Sequence, residues 1–132
     1  MAMGGLSVWN PRTKSEIALL STNGSNLRVA FSPSGPLLAF SDYDHVRLWD
    51  GATRQTPGRD LPLGGQCLGL AFSADGRSLA LGATNGEIRI WDLESHLDLL
   101  TLEGRGSRFT WTAFSPDGNV LGSVNGKHVL HL

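Results

Sequence analysis

The 132-residue sequence predicts an all-β protein made of copies of one four-stranded antiparallel unit. Three observations carry that expectation. Trp9, Trp49 and Trp91 stand 40 and 42 residues apart, each closing a short apolar run. Ala-Phe-Ser recurs at residues 30–32, 71–73 and 113–115, in steps of 41 and 42, so Phe31, Phe72 and Phe114 mark the same position of the unit. The turns that follow are related: Ser-Pro-Ser-Gly at 32–35, Ser-Ala-Asp-Gly at 73–76 and Ser-Pro-Asp-Gly at 115–118. Two landmarks and a turn that share one period are not a product of composition.

The chain opens on half a unit, residues 6–22, with runs at 6–10 and 17–21 that match the third and fourth strands of the later copies. Residues 27–63 form a whole unit, with runs at 27–32, 37–41 and 46–50 and a weak outer run at 61–63. The clearest copy is 67–103. Its first run, Cys67 to Ser73, breaks at Ala74-Asp75-Gly76, and a second run follows at 78–83. Asn85-Gly86, both tolerant of positive φ, turns the chain into Glu87-Ile88-Arg89-Ile90-Trp91-Asp92, and a fourth run occupies 97–102. Four apolar runs of about five to seven residues parted by turn signals read as a β-meander. The last copy, 109–132, stops at its third strand, with His131 in the Trp column. In the turns, Pro presets φ, Asp bonds the local backbone and Gly takes the left-handed position.

Val46-Arg47-Leu48-Trp49-Asp50 and Ile88-Arg89-Ile90-Trp91-Asp92, with the Ala-Phe-Ser hairpins at this period, make the chain resemble the WD-repeat β-propeller family over nearly its whole length. The resemblance implies four-stranded blades set radially around a central channel, with a rim that binds other proteins or peptides. Two family features are missing. No His stands before the inner strands, where Asn23-Gly24, Gly64-Gly65-Gln66 and Gly104-Arg105 occur. The Asp of the turn before the Trp strand gives way to Asn85 and Asn125. The buried Trp–His–Asp network of the family is therefore expected to be absent, in the style of divergent bacterial propellers, with apolar packing in its place.

About three blades are encoded, whereas closed rings use four to eight. An uncovered blade face of on the order of 300 Å² is worth up to about 8 kcal/mol when covered. That compares with the roughly 5–15 kcal/mol that holds a whole domain. The chain is accordingly expected to self-associate head to tail by strand exchange, as a dimer of six blades in preference to a trimer of nine. The alternative is a severed part of a larger WD-repeat regulatory protein with no activity of its own.

A formal net charge of −1 leaves no electrostatic footprint for nucleic acid. No apolar stretch approaches the ~18 residues of a membrane span, and no signal-peptide pattern opens the chain, so the expected compartment is the cytoplasm. Cys67, the single cysteine, reads as a buried small hydrophobe on an inner strand. His128 and His131 point to opposite faces of a strand and share no metal. No phosphate-binding loop, nucleophile elbow or metal-ligand motif occurs, so no cofactor and no catalysis are expected.

Binding remains. Strand alternation sets the turns before the Trp strands (43–45, 85–87, 125–127) on one rim with the links into the inner strands (23–26, 64–66, 104–108). Aromatic residues and Arg dominate hot spots, which singles out Tyr43, His45, Arg105, Arg108 and Trp111. Trp111 aligns with Arg28 and Gly69 on the inner strands, so it either contacts a partner or fills the channel or a blade interface.

Overall fold

The computed structural model describes residues 4–22, 27–56, 60–95, 97–103, 109–125 and 130–131. The elements of these residues are all strands, in four antiparallel sheets that follow chain order. β1 (Gly4–Asn10) pairs with β2 (Ser15–Thr22). β3 (Val29–Phe31), β4 (Leu37–Asp42), β5 (His45–Asp50) and β6 (Leu61–Pro62) form the second sheet. β7 (Cys67–Phe72), β8 (Ser78–Ala83), β9 (Glu87–Asp92) and β10 (Leu97–Glu103) form the third. β11 (Phe109–Phe114), β12 (Leu121–Asn125) and β13 (Leu130–His131) form the fourth. The expected all-β class of meandering blades is what the chain adopts.

Strand alternation gives every sheet two faces, and the faces explain the stacking. In the second sheet Leu38 lies opposite Trp49 and Ala39 opposite Leu48, which assigns the two pairs to opposite faces. Leu38, Phe40 and Trp49 bury themselves with Val8 of the first sheet, flanked by Leu6, Ile17, Ala18 and Leu20. Ala39, Val46, Leu48, Leu61 and Leu63 bury themselves with Cys67, Leu79, Leu81 and Ala83 of the third sheet. The second and third sheets thus turn their Trp faces toward the sheet before them, and the first and second turn small, aliphatic faces toward the sheet after them. At the next junction Gly69 lets the backbones close up: a Cβ there would stand 3.0 Å from Thr112 Oγ1 and 3.3 Å from Thr112 N.

Arginines tie the sheets at the edges of these apolar layers. Arg47 donates from Nη1 to the Ser21 carbonyl of the preceding sheet at 3.5 Å, and Arg89 does the same to the Pro62 carbonyl at 3.4 Å. The Arg of each Arg-Leu/Ile-Trp-Asp run therefore reaches back one sheet, in the same direction as the Trp beside it.

The hairpin turns are built as their residues dictate. Ser73 Oγ donates to Asp75 Oδ1 at 2.5 Å and accepts the Ser78 N–H, with Gly76 at φ +72. Ser115, Asp117, Val120 and Gly118 (φ +75) repeat the arrangement. The serine hydroxyl is the main reason that Asp75 and Asp117 sit below the usual carboxylate range. Asp50 accepts the Ala52 N–H, and Asp92 accepts from Ser95 and Arg77, so both open the turn after the Trp. The missing Trp–His–Asp network shows at Trp91, whose buried Nε1 has no hydrogen-bond partner.

Cys67 is buried, and desolvation pushes its thiol up to about 11. Since the thiolate is the reactive form, native protein at pH 8 should react with a disulfide reagent far more slowly than a free thiol. Addition of urea should release one full equivalent. Stoichiometric reaction before unfolding would contradict the buried placement.

Not every face of the stack is covered. Trp9 lies on the face of β1 opposite Val8 and is 58% exposed, whereas Trp49 in the same column of the next sheet is 3% exposed. On the outer strand of the third sheet Leu102 pairs with Ile88 as Leu61 pairs with Val46. Leu61 is covered by the following sheet at 3% exposure, while Leu102 stands at 39%. Phe31 is also exposed, because it faces a first sheet that has no inner strands among the described residues.

Candidate partner-binding rim

At one rim of the stack the β4–β5 turn meets the link from β6 to β7 and the β8–β9 turn. Leu63 N–H donates to the Asp44 carbonyl at 2.9 Å and Cys67 N–H to the Tyr43 carbonyl at 3.3 Å. Gln66 N–H donates to Thr84 Oγ1 at 3.0 Å, and Thr84 N–H returns a bond to the Gln66 carbonyl at 2.9 Å. These four bonds hold a hollow of about 510 Å³ between Tyr43, Asp44, residues 63–66 and Thr84. Its floor is Gly64-Gly65. A Cβ at Gly64 would overlap the Asn85 and Glu87 side chains, and one at Gly65 would overlap Thr84 Oγ1.

Tyr43 stands at φ +61, the left-handed region that is uncommon for a bulky residue, and its side chain is exposed. A two-residue connection between β4 and β5 demands that twist, and Tyr43 accepts it. His45 opens β5, instead of lying in the turn, and is set among carboxylates. Its Nδ1 is 3.0 Å from Asp44 Oδ1, and its Nε2 is 3.5 Å from Asp60 Oδ2 and 3.7 Å from Asp42 Oδ2. The hydrogen bond from His45 holds the Asp44 carboxyl below its ordinary range. Arg47 spans Asp42 and Asp60 at 3.6 and 3.7 Å, with its guanidinium 5.6 Å above the Phe40 ring.

Of the residues singled out from the sequence, Tyr43 and His45 come together here. Trp111 lies elsewhere. It is exposed on β11 and, with Arg28, Val29, residues 68–70 and Thr112, lines a cavity of about 90 Å³ along the inner strands. Arg105 and Arg108 lie outside the described residues. Of the repeated aromatic residues, Trp49 is buried, Trp91 and Phe72 pack on the larger cluster, Phe114 borders a hollow of about 590 Å³ on the opposite rim, and Trp9 faces outward. That second hollow is formed by the 73–78 and 114–119 hairpins, whose carboxylates are already bonded within their own turns.

Sequence reasoning placed residues 64–66 on this rim but overlooked Asp42, Asp60 and the close packing that the two glycines allow. Asp42 carried a faint signal, as a charge next to an apolar strand end; the packing carried none. No group of His, Cys, Asp and Glu able to hold a metal ion occurs among the described residues.

The family model described as "WD domain, G-beta repeat" matches residues 17–50 and 62–92. This chain belongs to the WD-repeat family. Each matched WD repeat begins on the outer strand of one sheet and ends at the Trp-Asp of the next, β2 through β5 and then β6 through β9. A WD repeat is thus offset from a blade by one strand, which stitches neighbouring blades together covalently.

Among curated WD-repeat relatives, the chain is similar to a periodic tryptophan protein 2 homolog of Schizosaccharomyces pombe, 28% identical over 100 residues. The homolog of Mus musculus is 32% identical over 100 residues. These alignments take in 74% of this chain but only 12% and 11% of the relatives. A WD repeat-containing protein SL1-17 of Schistosoma mansoni is 34% identical over 98 residues, 74% of this chain and 32% of that protein. The chain therefore spans about a tenth of the length of the first two relatives and about a third of the other.

Proposed function

We propose that this chain is a non-enzymatic protein-interaction scaffold, an arc of WD-repeat blades whose ring is completed head to tail by a second copy. The observation that carries the reading is the Trp column: Trp49 is 3% exposed against the blade before it, while Trp9 is 58% exposed on a blade that has none. On the third sheet Leu102 is open where Leu61 of the second is covered, so the side of the third sheet toward the fourth is only partly filled. A face built to receive a blade and a face built to present one, on the same molecule, make a heterologous contact that closes by rotation. Two copies supply about six blades, inside the range of closed rings. Strand exchange between the ends, with β2 serving a blade whose inner strands belong to the neighbour, is the route to closure. The rim around Tyr43 is the surface that binds other proteins or peptides.

A second reading has its own observation. The chain spans only about a tenth of two of its relatives, as expected if further blades of one longer polypeptide cover both ends. Native mass measurement at micromolar concentration separates the two. A dimer, or a trimer, that dissociates on Trp9→Ser supports self-association. A stable, soluble monomer overturns it.

The formal charge of −1 gives nucleic acid no electrostatic purchase. No helix among the described residues is long and apolar enough to cross a membrane.

A further inference from the structure

We propose that the Tyr43–Asp44 turn is a receptor for a cationic side chain, so that the rim takes an extended peptide segment carrying Arg or Lys. The inference rests on reading this rim as the partner surface, and it assigns the chemistry of the partner.

The first ground is Tyr43 itself. Its backbone occupies the left-handed region while the residue is 61% exposed, so neither backbone preference nor core packing accounts for an aromatic residue there. The corresponding turn of the next blade uses Thr84-Asn85-Gly86, with Gly86 at φ +84, the residue type such backbone favours. An unfavourable conformation kept for an exposed ring points toward recognition.

The second ground is the charge beside the ring. Asp42, Asp44, Asp60 and Glu87 face two guanidinium groups, Arg47 and Arg89, and the imidazole of His45. Four carboxylates against two guanidiniums leave the described part of this rim net acidic even if His45 carries a proton. Asp44 is exposed and bonded to His45 through one oxygen only, which leaves its other oxygen toward solvent. A cation set over the Tyr43 ring, within about 6 Å, meets that carboxylate at the same time. Arg47 over Phe40, at 5.6 Å, shows the same pairing inside the blade.

The third ground is the floor. Gly64 and Gly65 present bare backbone, and among the described residues no group accepts a hydrogen bond from either N–H. Backbone N–H groups without an acceptor favour a peptide, which brings carbonyls, over a free amine. An acidic segment is rejected by the carboxylates.

The test uses the full chain in its native assembly state and three fluorescent peptides of one length. They alternate Gly-Ser with Arg, with Gln or with Glu, and anisotropy is followed at 0.15 M salt. The Arg peptide is expected to bind, and the Gln and Glu peptides to bind at least tenfold more weakly. Asp44→Asn and Tyr43→Gly should each weaken the Arg peptide on the order of tenfold. Tyr43→Phe should retain binding. Tyr43→Gly is the decisive variant, because glycine suits the positive φ: its urea midpoint should rise or hold while binding falls. Arg-peptide binding unchanged in Tyr43→Gly and Asp44→Asn overturns both this proposal and the rim assignment. A Glu peptide that binds and is lost in Tyr43→Gly overturns the cationic class and keeps the rim. Absence of Arg-peptide binding up to 1 mM overturns the proposal alone, since the scaffold reading is judged by assembly state.

Discussion

Trp49→Ala is expected to cost about 3–5 kcal/mol of stability, while Trp9→Ala, the same change in the same column of the repeat, costs well under that at low concentration. Trp49 is buried between the first and second sheets, against Val8, Leu38 and Phe40. Removing the indole leaves a cavity that two β-sheets cannot collapse to fill. Trp9 faces outward on β1, so its loss opens no cavity in the arc. Urea unfolding at two protein concentrations checks both halves of the statement. The Trp49→Ala deficit should be independent of concentration. That of Trp9→Ala should grow with concentration, because the wild type then gains from assembly and the variant does not. Equal, concentration-independent losses would mean that Trp9 is buried within its own chain, and the head-to-tail contact would go with it.

Leu61→Ala should cost about 2–5 kcal/mol, toward the lower end because β6 is a two-residue strand at the outer border, and Leu102→Ala about 1 kcal/mol or less. Both residues pair with the first apolar residue of an Arg-containing strand, Val46 and Ile88. Leu61 belongs to the large cluster that locks the second and third sheets together, whereas Leu102 is exposed on the outer strand of the third sheet, although a fourth sheet follows it. The same denaturation series reports the difference. A Leu102 deficit as large as that of Leu61 would show that the outer strand of the third sheet is covered in solution.

These two comparisons bear on function because a scaffold of stacked blades is stabilised one interface at a time. Each blade contributes a Trp face and an aliphatic face, and only paired faces stabilise. Under the proposed reading, a face left over is a site for another blade, whoever supplies it. The rim's turns carry little of the core, so under the proposed reading residues such as Tyr43 are free to be chosen for what they touch in a partner.

Much of the fold was legible in order of residues alone. Hairpins such as Ser73-Ala74-Asp75-Gly76 announce themselves because their chemistry is local, a serine hydroxyl and a carboxylate bonding the next two residues and a glycine at positive φ. Alternation in Val46-Arg47-Leu48-Trp49 likewise separates faces without reference to anything distant. The candidate site was legible only in outline. Tyr43 and His45 were marked out by residue type and by the turn they flank. Nothing in the sequence signals that Tyr43 adopts positive φ, since an aromatic residue ordinarily avoids it. Nothing marks Gly64-Gly65 as a floor either, because what excludes a side chain there is Asn85, Glu87 and Thr84 from a turn some twenty residues on.

What the sequence by itself determined is the repeating unit: its strands, its turns, and which side chains share a face. What only the tertiary structure decided is which copies of a repeated residue are buried and which are not. Trp9 and Trp49 hold the same position of the repeat, and Leu61 and Leu102 pair with equivalent β-branched residues across their strands. They differ because burial is a property of what lies opposite, and that depends on whether another sheet is there to be packed against.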